Sequence, residues 1–255
     1  MSSMDLNRLN FDSPAALASA LADRVAAELS LAIAERKQAV LAVSGGKTPE
    51  LFFHYLAKID IDWKNIIITL VDERYVPVTD ERSNERLVRT HLLQHHAAKA
   101  RFYGLYHQSI TAELGAFSAA SRINGLPQPF DVVMLGMGLD GHTASFFPGA
   151  SRLSQAIDPN SRALILPIQA KNVSEPRLTL TLPIICHARF IALQIEGHDK
   201  REKFEEALQD GPETEMPIRA VLHNARHPIQ VYWSPTEGDR SEPRGDTTHF
   251  DAITI

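Results

Sequence analysis

The sequence predicts an α/β fold: one large domain built on a mostly parallel sheet that is covered on both faces. Two observations carry this. Apolar clusters of strand length alternate with helix-period segments along the chain, without a repeat at 20 to 50 residues. Several clusters, among them AVLAV (39–43) and IIITLV (66–71), are apolar throughout or nearly so, as strands buried on both faces are. The 255 residues are 44% apolar and 22% charged, enough to bury a sizeable core.

Each element has its own signal. A first helix is expected to open at SPAALASALADRVAAEL, with Ser13 capping the free amides and Pro14 at the first helical position. After the strand 39–43, Thr48 is expected to cap and Pro49 to start a second helix running through Leu56. The strand 66–71 follows, then a long loop and a helix from Ser83 or Asn84 to about His95. Further strands are expected at FDVVML (130–135), RALILP (162–167), RLTLTL (177–182), RFIALQI (189–195) and IQVYW (229–233), and further helices near 111–122 and 199–209. From Ser234 to His249 the chain carries no apolar residue and has nothing to bury against the cost of ordering. The domain is therefore expected to span 1–233, with 234–255 as a flexible tail.

Composition excludes several classes of function. With 26 Lys and Arg against 31 Asp and Glu the net charge is −5, and no run of like charges is present to grip a nucleic-acid backbone. No apolar run approaches the ~18 residues of a membrane span. The opening MSSMDLNRLN has neither the basic nor the apolar region of a secretion signal, so the cytoplasm is the expected location. The single cysteine, Cys186, lies in the apolar stretch LPIICHARF and reads as a small buried hydrophobe.

Three polar segments begin where apolar strands end: SGGKTP (44–49), DERYVP (72–77) and GMGLDGHTASFFPG (136–149). In a parallel sheet such loops share one edge, where ligands of open α/β sheets bind, so the three can meet in one crevice. SGGKTP places two glycines before a helix start, which suits a phosphate, although a tight turn alone would also use them. It is not a Walker loop, because GxxxxGK[ST] is absent. GMGLDG matches GxGxxG literally, yet Phe147-Pro148-Gly149 stops any following helix and Asp140 would repel a pyrophosphate. A dinucleotide is not expected. Asp140-Gly141-His142 instead puts an imidazole beside a carboxylate, the chemistry of a general base, and His142 is the candidate. His91 and His95 have i, i+4 spacing but lack the HExxH pattern, so they read as a solvated helix face and no metal site is expected. No GxSxG elbow occurs, which leaves activated water as the simpler nucleophile.

Together SGGKTPELFF, VDERYVPVTDERSNERL, FDVVMLGMGLDGHTASFFPG, RLTLTLP and GHDKREKF resemble the 6-phosphogluconolactonase family of the pentose phosphate pathway, over the stretch from the first helix to about Trp233. The resemblance implies a three-layer α/β/α fold, shared with glucosamine-6-phosphate deaminase and ribose-5-phosphate isomerase. It also implies substrate or phosphate contacts from Gly45, Gly46, Lys47, Thr48, Arg74, Arg177 and Lys200, with Asp72, Asp140 and His142 near the reacting centre. The implied reaction is hydrolysis of 6-phospho-D-glucono-1,5-lactone to 6-phospho-D-gluconate without metal or cofactor, by a chain read as a monomer whose partner is a small sugar-phosphate lactone. Either Asp72 or Asp140 can orient the imidazole. A deaminase acting on a sugar 6-phosphate is the main rival, but its pattern carries a Glu where this chain has Phe147. A sugar-phosphate-sensing module is the non-enzymatic rival, and the Asp140–His142 pair argues against it.

Overall fold

Ser13 accepts a hydrogen bond from Ala16 N at 3.1 Å and Pro14 fills the first helical position, so the first long helix starts where its capping signal lies. The computed structural model describes residues 6–171 and 173–241. In chain order its first half gives β1 (Leu6–Asn10), α1 (Pro14–Arg36), β2 (Ala39–Val43), α2 (Glu50–Leu56), β3 (Ile66–Leu70), β4 (Asp72–Arg74), α3 (Asn84–His91), β5 (Arg101–Tyr103) and α4 (Ala112–Asn124). The second half gives β6 (Val132–Gly136), α5 (Leu153–Ala156), β7 (Ile165–Ile168), β8 (Arg177–Leu180), α6 (Leu182–Cys186), β9 (Phe190–Glu196), α7 (His198–Ala207), α8 (Ile218–Asn224) and β10 (Ile229–Ser234).

Seven strands form one sheet in the order β1-β10-β9-β6-β2-β3-β5, and every neighbouring pair is parallel. Helices flank it, and β2 and β3 are buried throughout; Thr69, the one polar residue of β3, donates to Tyr103 O at 2.7 Å. α1 packs its Leu17, Leu21, Val25 and Leu29 stripe into the core and contacts β2, β6 and β10. From β2 the chain builds outward through β3 and β5, then returns to the other side of β2 with β6. This reversal opens a crevice at the carboxyl ends of β2 and β6.

Asp131 fixes the reversal point. It is buried; its Oδ2 accepts from Val40 N at 2.8 Å, and its Oδ1 pairs with Arg36 and lies 3.8 Å from Arg189. One carboxylate thus ties the start of β6 to β2 and to two cations outside the sheet.

Several boundaries differ from expectation. RALILP and RLTLTL do form strands, but as β7 and β8 they join β4 in a separate antiparallel sheet, ordered β4-β8-β7. β4 itself falls within the segment expected to be loop. Thr48 does not cap α2: Pro49 occupies the cap without a side-chain hydrogen bond, because the turn from Lys47 closes through Glu50 N to Lys47 O at 3.1 Å. α3 ends at His91 and His95 sits at φ 49°, so the two histidines do not share a helix face. The edge strands β1 and β5, and helices α5, α6 and α8, carry too weak a periodic signal to be anticipated. Cys186 packs as a small buried hydrophobe, and burial with the charge of Glu213 pushes its thiol up to about 12. Ser234 belongs to β10 and is buried, and Thr236 and Asp239 hydrogen-bond each other beyond it. The rest of the expected tail, 242–255, lies outside the described residues. Among the described residues no helix is long and apolar enough to cross a membrane.

Asp131→Ala strips the buried Val40 N–H of its acceptor and leaves Arg36 with Pro129 O and Arg189 with Glu35 alone. The expected cost is about 3 kcal/mol, read as a lower urea midpoint at unchanged slope. A loss below ~1 kcal/mol would mean that the junction holds without the carboxylate.

Candidate active site

The loops after β2 and β6 open onto a cleft of about 370 Å³, which β4, β8 and α7 also line. Gly45, Gly46, Lys47 and Thr48 form one wall, and Asp72, Arg74, His142, Arg177 and Lys200 line the same cleft. Asp140 stands behind His142. All ten residues singled out in the sequence therefore meet at one edge of the sheet.

The imidazole is held by a turn that needs its glycines. Gly138 N donates to His142 O at 2.9 Å, and a β-carbon on Gly138 would stand 2.2 Å from the imidazole ring. Gly141 turns at φ +75° against Met216. No helix follows this loop directly; the next one is α5, so the dinucleotide fingerprint is a coincidence of letters. Asp140 Oδ1 lies 2.5 Å from His142 Nδ1 and also accepts the His142 backbone N–H at 3.1 Å. Because a carboxylate only accepts, Nδ1 carries a proton, and in the neutral imidazole Nε2 is the nitrogen with the free lone pair. Burial works against the Asp140 charge, but the hydrogen bonds and charge of His142 outweigh it and hold the carboxyl below its ordinary range. Phe147 packs its ring 4.6 Å from the imidazole.

Asp72 is differently engaged. It is buried, with Oδ2 accepting from Ser145 Oγ at 2.6 Å and Oδ1 3.5 Å from Asn84 Nδ2. Its hydrogen bonds go to these neighbours and not to the imidazole, whose close carboxylate is Asp140.

The cationic end is built by strand register. Arg74 on β4 lies directly opposite Arg177 on β8, and like charges so placed repel. Arg74 donates to Arg82 O at 2.5 Å, Arg177 reaches Glu175 at 3.5 Å, and both buried Nε atoms lack a partner. Burial and then Arg74 lower the Arg177 pKa, while Asp72, Glu175 and Glu73 pull it back. Burial likewise lowers Lys200, on the first turn of α7, against the pull of Glu196. Two opposed guanidiniums and a desolvated ammonium beside a glycine loop make a site for a compact anion.

Three polar lining residues were given no site role in the sequence reading. Asn84 donates to Asp72 O at 2.9 Å and fills the space that a side chain on Gly45 would need. Gln194 ties Thr48 O at 3.2 Å to Glu196 at 3.1 Å, and its polar side chain inside the apolar strand FIALQIE was the available signal. Ser44 donates to Met134 O at 2.9 Å across the β2–β6 junction. Among the described residues no group of three or more His, Cys, Asp or Glu stands where it could hold a metal ion.

A family model described as glucosamine-6-phosphate isomerases/6-phosphogluconolactonase matches residues 12–233. The chain is 50% identical over 232 residues to 6-phosphogluconolactonase of Rhizobium meliloti, covering 91% of this chain and all of the relative. It is 54% identical over 219 residues to 6-phosphogluconolactonase of Mesorhizobium japonicum, covering 86% of this chain and 91% of the relative. The crystal structure of a 6-phosphogluconolactonase from Shewanella baltica superposes with a TM-score of 0.88 at 42% identity, over 90% of this chain and 98% of the other.

Inorganic phosphate at ten times its Kd is expected to raise the Tm by roughly 3–6 °C, the equivalent of ~1.4 kcal/mol, and Arg177→Ala to remove most of that rise. An equal rise in the variant would place the anion away from the guanidinium pair.

Proposed function

The chain belongs to the glucosamine-6-phosphate isomerase/6-phosphogluconolactonase family and is a lactone hydrolase, and we propose that His142 is the general base of its reaction. The substrate is 6-phospho-D-glucono-1,5-lactone and the product 6-phospho-D-gluconate. In this reading His142 Nε2 takes a proton from water as the water oxygen bonds to C1. The tetrahedral intermediate then collapses, the bond between C1 and the ring oxygen breaks, and the imidazolium returns its proton to that oxygen. The observation that carries the reading is the 2.5 Å contact between Asp140 and His142 Nδ1, which turns the basic nitrogen away from the carboxylate.

The other roles follow from position. Asp140 orients the imidazole and stabilises its protonated form; Asp72, committed to Ser145 and Asn84, supplies counter-charge to the cationic end. Arg74, Arg177, Lys200 and the loop Gly45-Gly46-Lys47-Thr48 grip the 6-phosphate and hold C1 over the base. Phe147 offers no carboxylate beside His142 for acid–base chemistry on an amino sugar, which favours the lactonase over the deaminase reading. Every group this mechanism uses comes from one copy, so a monomer suffices for it, and we infer that state. Its anionic substrate stays in the compartment that makes it, for which we infer the cytoplasm.

His142→Ala should lower kcat by ~10²–10⁴ in a folded protein, and undiminished turnover would remove His142 from the mechanism. Asp140→Asn should reduce kcat with little change in KM. No step of this mechanism uses a metal, so turnover should survive exhaustive chelation; loss restored by zinc would overturn that. Arg177→Ala or Lys200→Ala should cost roughly 10- to 100-fold in kcat/KM on the phosphorylated lactone, from ~1.5–3 kcal/mol per charge-assisted bond, and hardly affect plain gluconolactone. Equal losses on both substrates would mean that the phosphate binds elsewhere.

A further inference from the structure

Glu73 is fully buried between two residues that line the cleft, yet does not line it itself. Each of its carboxylate oxygens takes two donors. Oε1 accepts from Arg74 N and Asn84 N, both at 2.7 Å; Oε2 accepts from Glu85 N at 2.8 Å and Ser83 Oγ at 3.2 Å. All four acceptor positions of the carboxylate are thereby used.

These donors lie at the two ends of one excursion. The chain leaves β4 at Arg74 and returns at Ser83 to begin α3, and Glu73 grips both ends. It supplies the acceptors for the first two amides of α3, while Ser83 Oγ accepts the next from Arg86 at 3.2 Å. These are amides that the helix itself cannot satisfy. Once α3 is anchored, Asn84 stands under Gly45 and against Asp72. Arg74 is fixed at both levels, its backbone on Glu73 and its guanidinium on Arg82 O, inside the same closed loop.

We propose that Glu73 is a positioning residue of the reaction: a carboxylate out of reach of substrate that sets where Arg74 and Asn84 stand, and so the geometry of the anion-binding end of the cleft. The proposal rests on the reading of that cleft as the lactone-hydrolysing site. A residue that merely holds the fold together would lower the Tm and the active fraction, scaling kcat equally on all substrates. A positioning residue for the anion end acts on KM and on the phosphorylated substrate first.

The test is Glu73→Gln in the full chain, assayed on 6-phosphogluconolactone and plain gluconolactone. The folded variant is expected to raise KM for the phosphorylated lactone roughly 10- to 100-fold while plain gluconolactone changes little. It should also lose most of the Tm rise that inorganic phosphate gives the unmodified protein. Parallel losses of kcat on both substrates with unchanged KM, or a full phosphate-induced rise, overturn the proposal. If Glu73→Gln does not fold, Ser83→Ala removes one of the four donors, and the same substrate-selective shift in smaller measure is expected; an unchanged ratio between substrates overturns it. Failure of the lactonase reading would show separately, as absent turnover in the unmodified protein, and the phosphate-induced Tm rise would still decide the role of Glu73.

Discussion

Every strand of the large sheet points the same way, and the rest of the molecule follows from that constraint. Parallel strands need crossover connections, so all carboxyl ends fall on one edge and all return paths on the faces. Where the order reverses, between β2 and β6, the flanking loops diverge and leave a gap. Asp131 and Ser44 hold the two strands together beneath that gap, one at the start of β6 and one at the end of β2. The cleft is thus a consequence of the winding, and its residues can be distant in sequence because adjacency at the edge is set by sheet order. The smaller sheet then brings Arg74 and Arg177 to the same edge from the side.

The cleft gathers charge against its own preference. Arg177 and Lys200 are each disfavoured in charged form by burial, and Arg74 adds repulsion across the strand pair. Asp72, Glu175 and Glu73 offset part of this. Glu73 is itself under tension, since burial, helped by Asp72, holds its pKa up at about 7 even though the Asn84, Glu85 and Arg74 amides pull it down. In the proposed reading, an anion in the cleft relieves this repulsion as well as making its own hydrogen bonds. His142 sits apart from this cationic end, on a turn with its own carboxylate, Asp140.

Much of this was legible in the sequence because the decisive segments are buried on both sides. AVLAV, IIITLV, FDVVML and RFIALQI can be little else than inner strands, and the polar segments following the first three had to emerge at one edge. The edge strands were not legible: LNRLN and RFY each pair on one side only, so neither needs an unbroken apolar run. α6 and α8 span 5 and 7 residues, too few turns to establish a periodicity. Within the site, residue types were readable and partnerships were not. Whether Asp72 or Asp140 meets His142 is settled by a turn that folds Asp140 back two residues and by a serine that occupies Asp72. Asn84 escaped because its role depends on a gap left by Gly45, a relation across 39 positions that no local pattern records.

The loop GMGLDGH shows why a motif has to be read through its backbone. In a dinucleotide site the glycines make room for a pyrophosphate and for a helix that starts beneath it. Here they make room for the protein's own side chain. Gly138 lacks a β-carbon because the imidazole occupies that space, and Gly141 adopts a left-handed conformation because the chain must turn sharply enough to bring Asp140 beneath His142. The turn is then stapled by Thr143 Oγ1 to Gly136 O at 2.8 Å and by Ile218 N to Gly141 O at 2.9 Å. The same spacing of glycines that elsewhere admits a ligand is used here to aim an imidazole, and what separates the two uses is the element that follows, a helix in one case and a closed turn in the other.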